Sequence, residues 1–258
     1  MTGRFSRVFV GSNHKMYKTN QQTVEYLRAL QDLSADISRT DLTLFVLPPY
    51  VALADACRAV DPTLIMIGAQ NMHWEEQGEF TGEISARMLA SIGVRLVMAG
   101  HAERRRLFGE TDEMVNRRVL ASLQHGFQTL ICVGETADDK RFGDSKEHIS
   151  AQLNTALHGV AEDHWEKIWI AYEPVWAIGE AGELADPLYV NQMHAWIHAT
   201  LVRVSPQFGE RVPVLYGGSV NLSNSLDFIN QPEVDGLFIG RAAWDPVNFC
   251  SILHKIMS

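Results

Sequence analysis

Eight short apolar runs, spread along the whole chain, constrain its fold more than any other feature. They lie at Val8–Val10, Thr43–Leu47, Met66–Ala69, Leu96–Ala99, Thr129–Val133, Ile168–Tyr172, Val214–Tyr216 and Gly236–Ile239. Most are continuously apolar and do not alternate. An alternating strand keeps one face for water, whereas a continuous one needs cover on both faces, as parallel strands between helices have. Helical patterns separate the runs. Val24, Leu27 and Leu30 recur at about one-turn spacing after the polar stretch Thr19–Thr23, and similar patterns follow Asp112, Ser145 and Pro187. Eight strands alternating with helices form either a closed (β/α)8 barrel or an open doubly wound sheet. No GxGxxG follows the first run, which weakens the dinucleotide-binding version of the open sheet. Spacing alone leaves both folds open.

The chain has 258 residues, and closed α/β barrels commonly use about 250 as one domain. With no Pro-rich or Ser-rich linker in it, 1–258 reads as a single domain. The formal net charge of −9 leaves no basic stripe for nucleic acid. The triplet Arg104, Arg105, Arg106 is too short for that role and reads as a set of structural ion pairs. Val8–Val10 is too short for a signal-peptide core or a membrane span. Cys57, Cys132 and Cys250 show neither metal-ligand spacing nor a disulfide framework. These features predict a protein of a reducing cytoplasm with no nucleic-acid or membrane partner and no metal.

Residues able to do chemistry cluster just after the predicted strands. Asn13-His14-Lys15 follows the first, His101-Ala102-Glu103-Arg104 the fourth and Glu173-Pro174-Val175-Trp176 the sixth. Gly217-Gly218-Ser219 follows the seventh and Gly240-Arg241 the eighth. In a barrel these strand ends share one face, the face that carries active sites. Singly, each has an ordinary explanation: a solvated lysine, a satisfied histidine, a pair of turn glycines. Glu173 is the exception, because a carboxylate directly after an apolar run is costly to bury without a purpose. Together they suit one reaction. Proton abstraction beside a carbonyl needs a carboxylate base, a neutral hydrogen-bond donor and a fixed cation. Glycine-rich loops and a short helix N-terminus after strands seven and eight suit a phosphate.

Longer strings carry a family resemblance. SNHKM (Ser12–Met16), GAQN (Gly68–Asn71), FTGEIS (Phe80–Ser85), GHAERR (Gly100–Arg105), CVGET (Cys132–Thr136), AYEPVWAIG (Ala171–Gly179) and YGGSVN (Tyr216–Asn221) stand in this order. The chain resembles triosephosphate isomerases along nearly its whole length, and this resemblance implies the (β/α)8 TIM barrel over the open sheet. It also implies aldose–ketose isomerisation of glyceraldehyde 3-phosphate and dihydroxyacetone phosphate through an enediolate, a step of glycolysis and gluconeogenesis, with no cofactor. Glu173 matches the family's catalytic base and His101 its electrophile. A neutral imidazole, its pKa lowered by a helix N-terminus, polarises the carbonyl in that family. Lys15 matches the active-site cation, Asn13 the polar residue beside it and Glu103 the carboxylate near the lysine. Trp176 and Ala177–Leu184 match the lid that excludes water. Gly179, Ser219 and Gly240–Arg241 match the phosphate site. The loop Met72–Thr81 resembles the one through which the family dimerises, with Trp74 and Phe80 expected to need burial.

Four departures from the family pattern stand out. His14 replaces a tryptophan and reads as a surface substitution, and Tyr17 stands where asparagine is usual. The lid tip Gly179-Glu180-Ala181-Gly182-Glu183 carries two carboxylates. Arg241 replaces a phosphate-loop glycine, so its guanidinium is expected at the phosphate, against Glu180 or Glu183, or turned away. QNMHW (Gln70–Trp74), WAIGEAG (Trp176–Gly182) and GLFIGRAAW (Gly236–Trp244) resemble a branch that isomerises a four-carbon substrate, L-erythrulose 1-phosphate, in erythritol catabolism. The same three catalytic groups serve either carbon count, and at this level both substrates stay open. A barrel that only binds a phosphorylated metabolite would not need Glu173, His101 and Lys15 together.

Overall fold

Backbone hydrogen bonding along the eight apolar runs closes them into a ring. The structure is a computed structural model and describes residues 5–179 and 182–258. The strands are β1 (Val8–Asn13), β2 (Leu42–Leu47), β3 (Met66–Ala69), β4 (Leu96–Ala99), β5 (Gln128–Val133), β6 (Ile168–Tyr172), β7 (Val214–Tyr216) and β8 (Gly236–Ile239). Each pairs in parallel with its neighbours in sequence, and β8 returns to β1 through Val10↔Leu237 and Gly11↔Phe238. The barrel is therefore closed, and the open sheet is excluded.

The helices named below cover the barrel: α1 (Asn20–Leu33), α2 (Leu53–Ala59), α3 (Ala86–Ser91), α4 (Ala102–Phe108), α5 (Asp112–Gln124), α6 (Ala137–Phe142), α7 (Ser145–Ala156), α8 (Pro187–Val204), α9 (Ser225–Ile229) and α10 (Pro246–Met257). Their starts carry the local chemistry that helix nucleation needs. Thr19 and Thr136 form reciprocal capping boxes with Gln22 and Asp139, and Pro187 and Pro246 sit in the first turns behind capping Asp186 and Asp245. Each cap satisfies backbone N–H groups that have no partner inside the helix.

Two apolar layers result. One lies between barrel and helices. The other fills the barrel and is aromatic: Phe9 and Phe45 pack on Trp169 at 5.2 and 5.5 Å, and Phe45 stacks on Phe238 at 5.7 Å. A filled interior leaves the rim at the strand C-termini as the place for a site.

Two expectations need correction or refinement. His14 is not a surface residue. It is fully buried, edge-on to the Tyr26 ring of α1 at 4.5 Å. Burial, with help from Lys18, holds its pKa down at about 3, so it is a neutral core imidazole. β1 also runs past Val10 to Asn13, because Gly11, Ser12 and Asn13 pair with Phe45, Val46 and Leu47. Two of the arginine triplet engage acids: Arg104 holds Glu110 at 2.6 Å and Arg105 pairs with Asp112.

Candidate active site at the strand C-termini

Strand ends from around the ring converge on a cleft of about 340 Å³. Asn13, Lys15, His101, Glu173, Gly179, Ser219, Gly240 and Arg241 all line it. The structure thus brings together the predicted catalytic and binding residues, with Glu103 and Trp176 beside them.

Lys15 is held by its own loop. Its backbone has a positive φ of 51°, a conformation that costs about 1–3 kcal/mol for a non-glycine residue. The Asn13 side chain accepts its N–H at 2.8 Å, and Gln70 donates to its carbonyl at 2.9 Å. The Lys15 ammonium meets Glu103 Oε1 at 2.5 Å. Burial works against the Glu103 carboxylate, but the hydrogen bond and the charge of Lys15 leave its pKa below the usual range.

His101 caps α4. Its Nδ1 accepts the N–H of Glu103 at 3.2 Å. A ring nitrogen that accepts cannot carry the proton, so the neutral ring holds it on Nε2. Nε2 lies 3.5 Å from Glu173 Oε1. The base and a neutral donor are therefore adjacent, both almost fully buried.

Glu173 leaves the end of β6 with its N–H donated to Val133 O at 2.7 Å. Two glycines make room for it. A Cβ on Gly134 would sit 1.9 Å from the Glu173 carbonyl, and one on Gly217 would sit 2.8 Å from Glu173 Cγ. The turns carrying Gly217–Ser219 and Gly240–Arg241 also border the cleft. Ser219 Oγ donates to Ala177 O at 2.9 Å, tying its turn to the start of the lid. Arg241 is exposed on the cleft rim. Of the lid tip, Glu180 and Ala181 fall outside the described residues, while Glu183 N–H donates to Trp176 O at 3.0 Å.

Several site residues had no role assigned from sequence. Glu135 is fully buried, and one of its oxygens accepts from Tyr172, Trp176 and Tyr189 at 3.0, 2.9 and 2.9 Å. Lys140 lies over the Trp176 ring at 3.3 Å. These contacts fix the hinge end of the lid to the loop after β5. Trp244 lines the cleft, donates to Asn13 O at 2.9 Å and packs at a tilt against the Tyr17 ring. The string CVGET contained Glu135, but only the fold shows three donors meeting there. Among the described residues no group of three or more His, Cys, Asp or Glu side chains is placed to hold a metal ion. No helix among them is long and apolar enough to cross a membrane.

Fold and site together define a (β/α)8 barrel with a carboxylate, an imidazole and an ammonium gathered over an anion-sized cleft. Comparison with known proteins is specific about which such barrel. The triosephosphate isomerase family model matches residues 8–256. An L-erythrulose-1-phosphate isomerase of Rhizobium etli is 42% identical over 251 residues, covering 96% of this chain and 92% of its own. A triosephosphate isomerase of Aquifex aeolicus is 39% identical over 250 residues, covering 96% and 99%. The crystal structure of the Bartonella henselae triosephosphate isomerase superposes with a TM-score of 0.86 at 32% identity, covering 96% and 98%. The chain belongs to the triosephosphate isomerase family and, like these relatives, is an isomerase.

Proposed function

We propose that the chain interconverts D-glyceraldehyde 3-phosphate and dihydroxyacetone phosphate by proton transfer through an enediolate. The observation that carries this reading is the adjacency of Glu173 and the Nε2–H of His101 in one cleft with Lys15. Glu173 takes the proton from the carbon beside the carbonyl, and the C–H electron pair becomes the enediolate double bond. His101 donates to the carbonyl oxygen and takes the hydroxyl proton of the neighbouring carbon. Glu173 then returns its proton to the former carbonyl carbon. Lys15 stabilises the oxyanion and draws in the substrate. Gly179, Ser219, Gly240 and Arg241 hold the phosphate, Asn13 and Glu103 set the lysine, and the lid hinged at Trp176 excludes water.

The 42% identity to an L-erythrulose-1-phosphate isomerase favours a second reading, in which the same groups act on a tetrulose phosphate. The first substrate places the enzyme in glycolysis and gluconeogenesis, the second in erythritol catabolism, in either case in the cytoplasm and as one domain. Homodimerisation is part of the same proposal. Loops after four consecutive strands expose apolar side chains along one rim: Met16, Val51, Phe80 and Phe108. Trp74 is sheltered within its own chain by Arg117 and Arg118, whereas Phe80, tilted against the His73 ring, stays exposed near the end of the Met72–Thr81 loop. The test is turnover of three- and four-carbon ketose phosphates by wild type and Glu173→Gln. Loss of the base is expected to lower kcat about a hundred- to ten-thousandfold. Near-normal turnover in the variant removes Glu173 from the mechanism.

A further inference from the structure

Among the described residues, the non-glycine residues with positive φ are Lys15 and Lys18, at 51° and 72°. Both stand in the turn between β1 and α1. Such conformations persist only where the surroundings over-determine them. Part of the hold comes from β2 and from the residue after β3. His14 N–H donates to Leu47 O at 3.0 Å, and Gln70 Nε2 donates to Lys15 O at 2.9 Å and Leu47 O at 3.0 Å. These contacts fasten the turn on its β2 side.

On the β8 side the strand register stops one residue earlier. β1 pairs with β8 as far as Ser12↔Ile239, whereas on β2 it runs on to Asn13↔Leu47. Beyond that point the Asn13 carbonyl accepts the indole Nε1–H of Trp244 at 2.9 Å, a bond between residues 231 positions apart. Asn13 also accepts the Lys15 N–H on its side chain at 2.8 Å. One residue therefore receives Trp244 on its carbonyl and holds the strained lysine with its amide oxygen.

Trp244 is itself firmly placed. It follows the short turn Arg241–Ala243, which two side chains tie down. The Tyr26 hydroxyl donates to Ala243 O at 2.6 Å, and Asn248 Nδ2 donates to Ala242 O at 2.5 Å. The Tyr17 ring packs on the indole with centroids 4.3 Å apart, from a position that is 55% exposed. Tyr17 departs from the family pattern, and its place against Trp244 gives that departure a task. An indole has one donor and no acceptor, so the bond runs in one sense, from the β8 turn to the end of β1.

We propose that Trp244 is a positioning residue for Lys15: through Asn13 it transmits the place of the β8 turn, across the seam where first and last strands meet, to the active-site ammonium. This rests on the isomerase reading above, and it gives Trp244 no part in proton transfer. The turn assigned to the phosphate and the cation assigned to the oxyanion then move as one unit, although they lie near opposite ends of the chain. Loss of the indole N–H removes one restraint from a strained backbone. Lys15 is then free to relax toward negative φ, which draws its ammonium away from Glu103 Oε1, now at 2.5 Å.

The test is Trp244→Phe, which keeps an aromatic ring beside Tyr17 and removes the donor. A crystal structure of the variant reads the Lys15 φ and the Lys15–Glu103 distance. Steady-state kinetics on D-glyceraldehyde 3-phosphate and L-erythrulose 1-phosphate reads kcat and KM separately. Misplacing a reacting group by about 1 Å costs on the order of a hundredfold, so kcat should fall about ten- to a hundredfold while the melting temperature stays within a few degrees. A tryptophan that only braced the β8 turn would raise KM and leave kcat unchanged. Tyr17→Ala, at an exposed position, should lower kcat in the same direction by about two- to tenfold; if Trp244→Phe does not fold, this variant decides by the same readings. A Lys15 turn that stays in place, or a kcat within twofold of wild type, overturns the positioning role and leaves the isomerase reading standing. Wild-type turnover of neither substrate overturns that reading, and the place of Lys15 in the variant structure then decides the role of Trp244 by itself.

Discussion

Gly217→Ala should damage catalysis without damaging the fold. The added methyl would lie 2.8 Å from Glu173 Cγ and 3.4 Å from both Glu173 Oε1 and Tyr172 O. Ordinary carbon contacts begin near 3.4 Å, so the pair must separate by about 0.6 Å. Tyr172 O cannot yield, because it lies at the end of β6 and accepts the Gly217 N–H at 2.8 Å. The glutamate side chain therefore moves, and with it the oxygen now 3.5 Å from His101 Nε2. Misplacing a reacting group by about 1 Å costs on the order of a hundredfold. A displacement of half that size or more implies a fall of roughly ten- to a hundredfold in kcat, or about 1.4–2.7 kcal/mol of barrier. KM should change less than kcat, because the carboxylate acts on the transition state and the phosphate turns hold the ground state. The φ of Gly217 is not in the left-handed region, so alanine adds no backbone strain and the melting temperature should stay within a few degrees. Steady-state kinetics beside a thermal melt measures both. A kcat within twofold of wild type would refute the claim that this glycine reserves space for the base.

Three further outcomes are expected. Arg241→Gly should weaken binding of a phosphorylated inhibitor by about ten- to a hundredfold if the guanidinium serves the anion, since a charge-assisted contact contributes ~1.5–3 kcal/mol; unchanged affinity and an unchanged substrate ratio would make the arginine incidental. His14 and His194 are buried with pKa values of about 3, His14 by burial and then Lys18, His194 by burial and then His198. The unfolded chain binds protons at both from about pH 6.5 downward while the folded chain does not, so stability should fall from there toward pH 3 by up to ~1.4 kcal/mol per pH unit per histidine. His14→Phe should flatten that slope in denaturant titrations, and an unaltered slope would contradict the assignment. Sedimentation equilibrium at micromolar concentration should give a dimer, and a fully active monomer would refute the interface.

Much of this architecture is legible in the residues because burial on two faces leaves a compositional trace. All eight strands appear where the apolar runs stand, most of them continuous, and Glu173 betrays itself by following one of them. The limits have equally physical causes. Gly11, Ser12 and Asn13 extend β1 although none is apolar, because backbone pairing with β2 needs no particular side chain. The depth of His14 depends on where Tyr26 of α1 arrives, twelve positions later. Glu135 draws its partners from β6, the lid hinge and α8, and no local string encodes such a meeting.

The filled barrel has one further consequence. Phe238 stacks on Phe45 inside the barrel and also lines the cleft, so a single ring is both keystone and reaction-vessel floor. Selection for thermal tolerance and selection for turnover therefore act on the same atoms. Variants recovered at Phe9, Phe45 or Trp169 in a heat-tolerance screen should drift in substrate preference, although none of the three borders the cleft. The route to a new substrate in this barrel passes through its least accessible residues as well as through its loops.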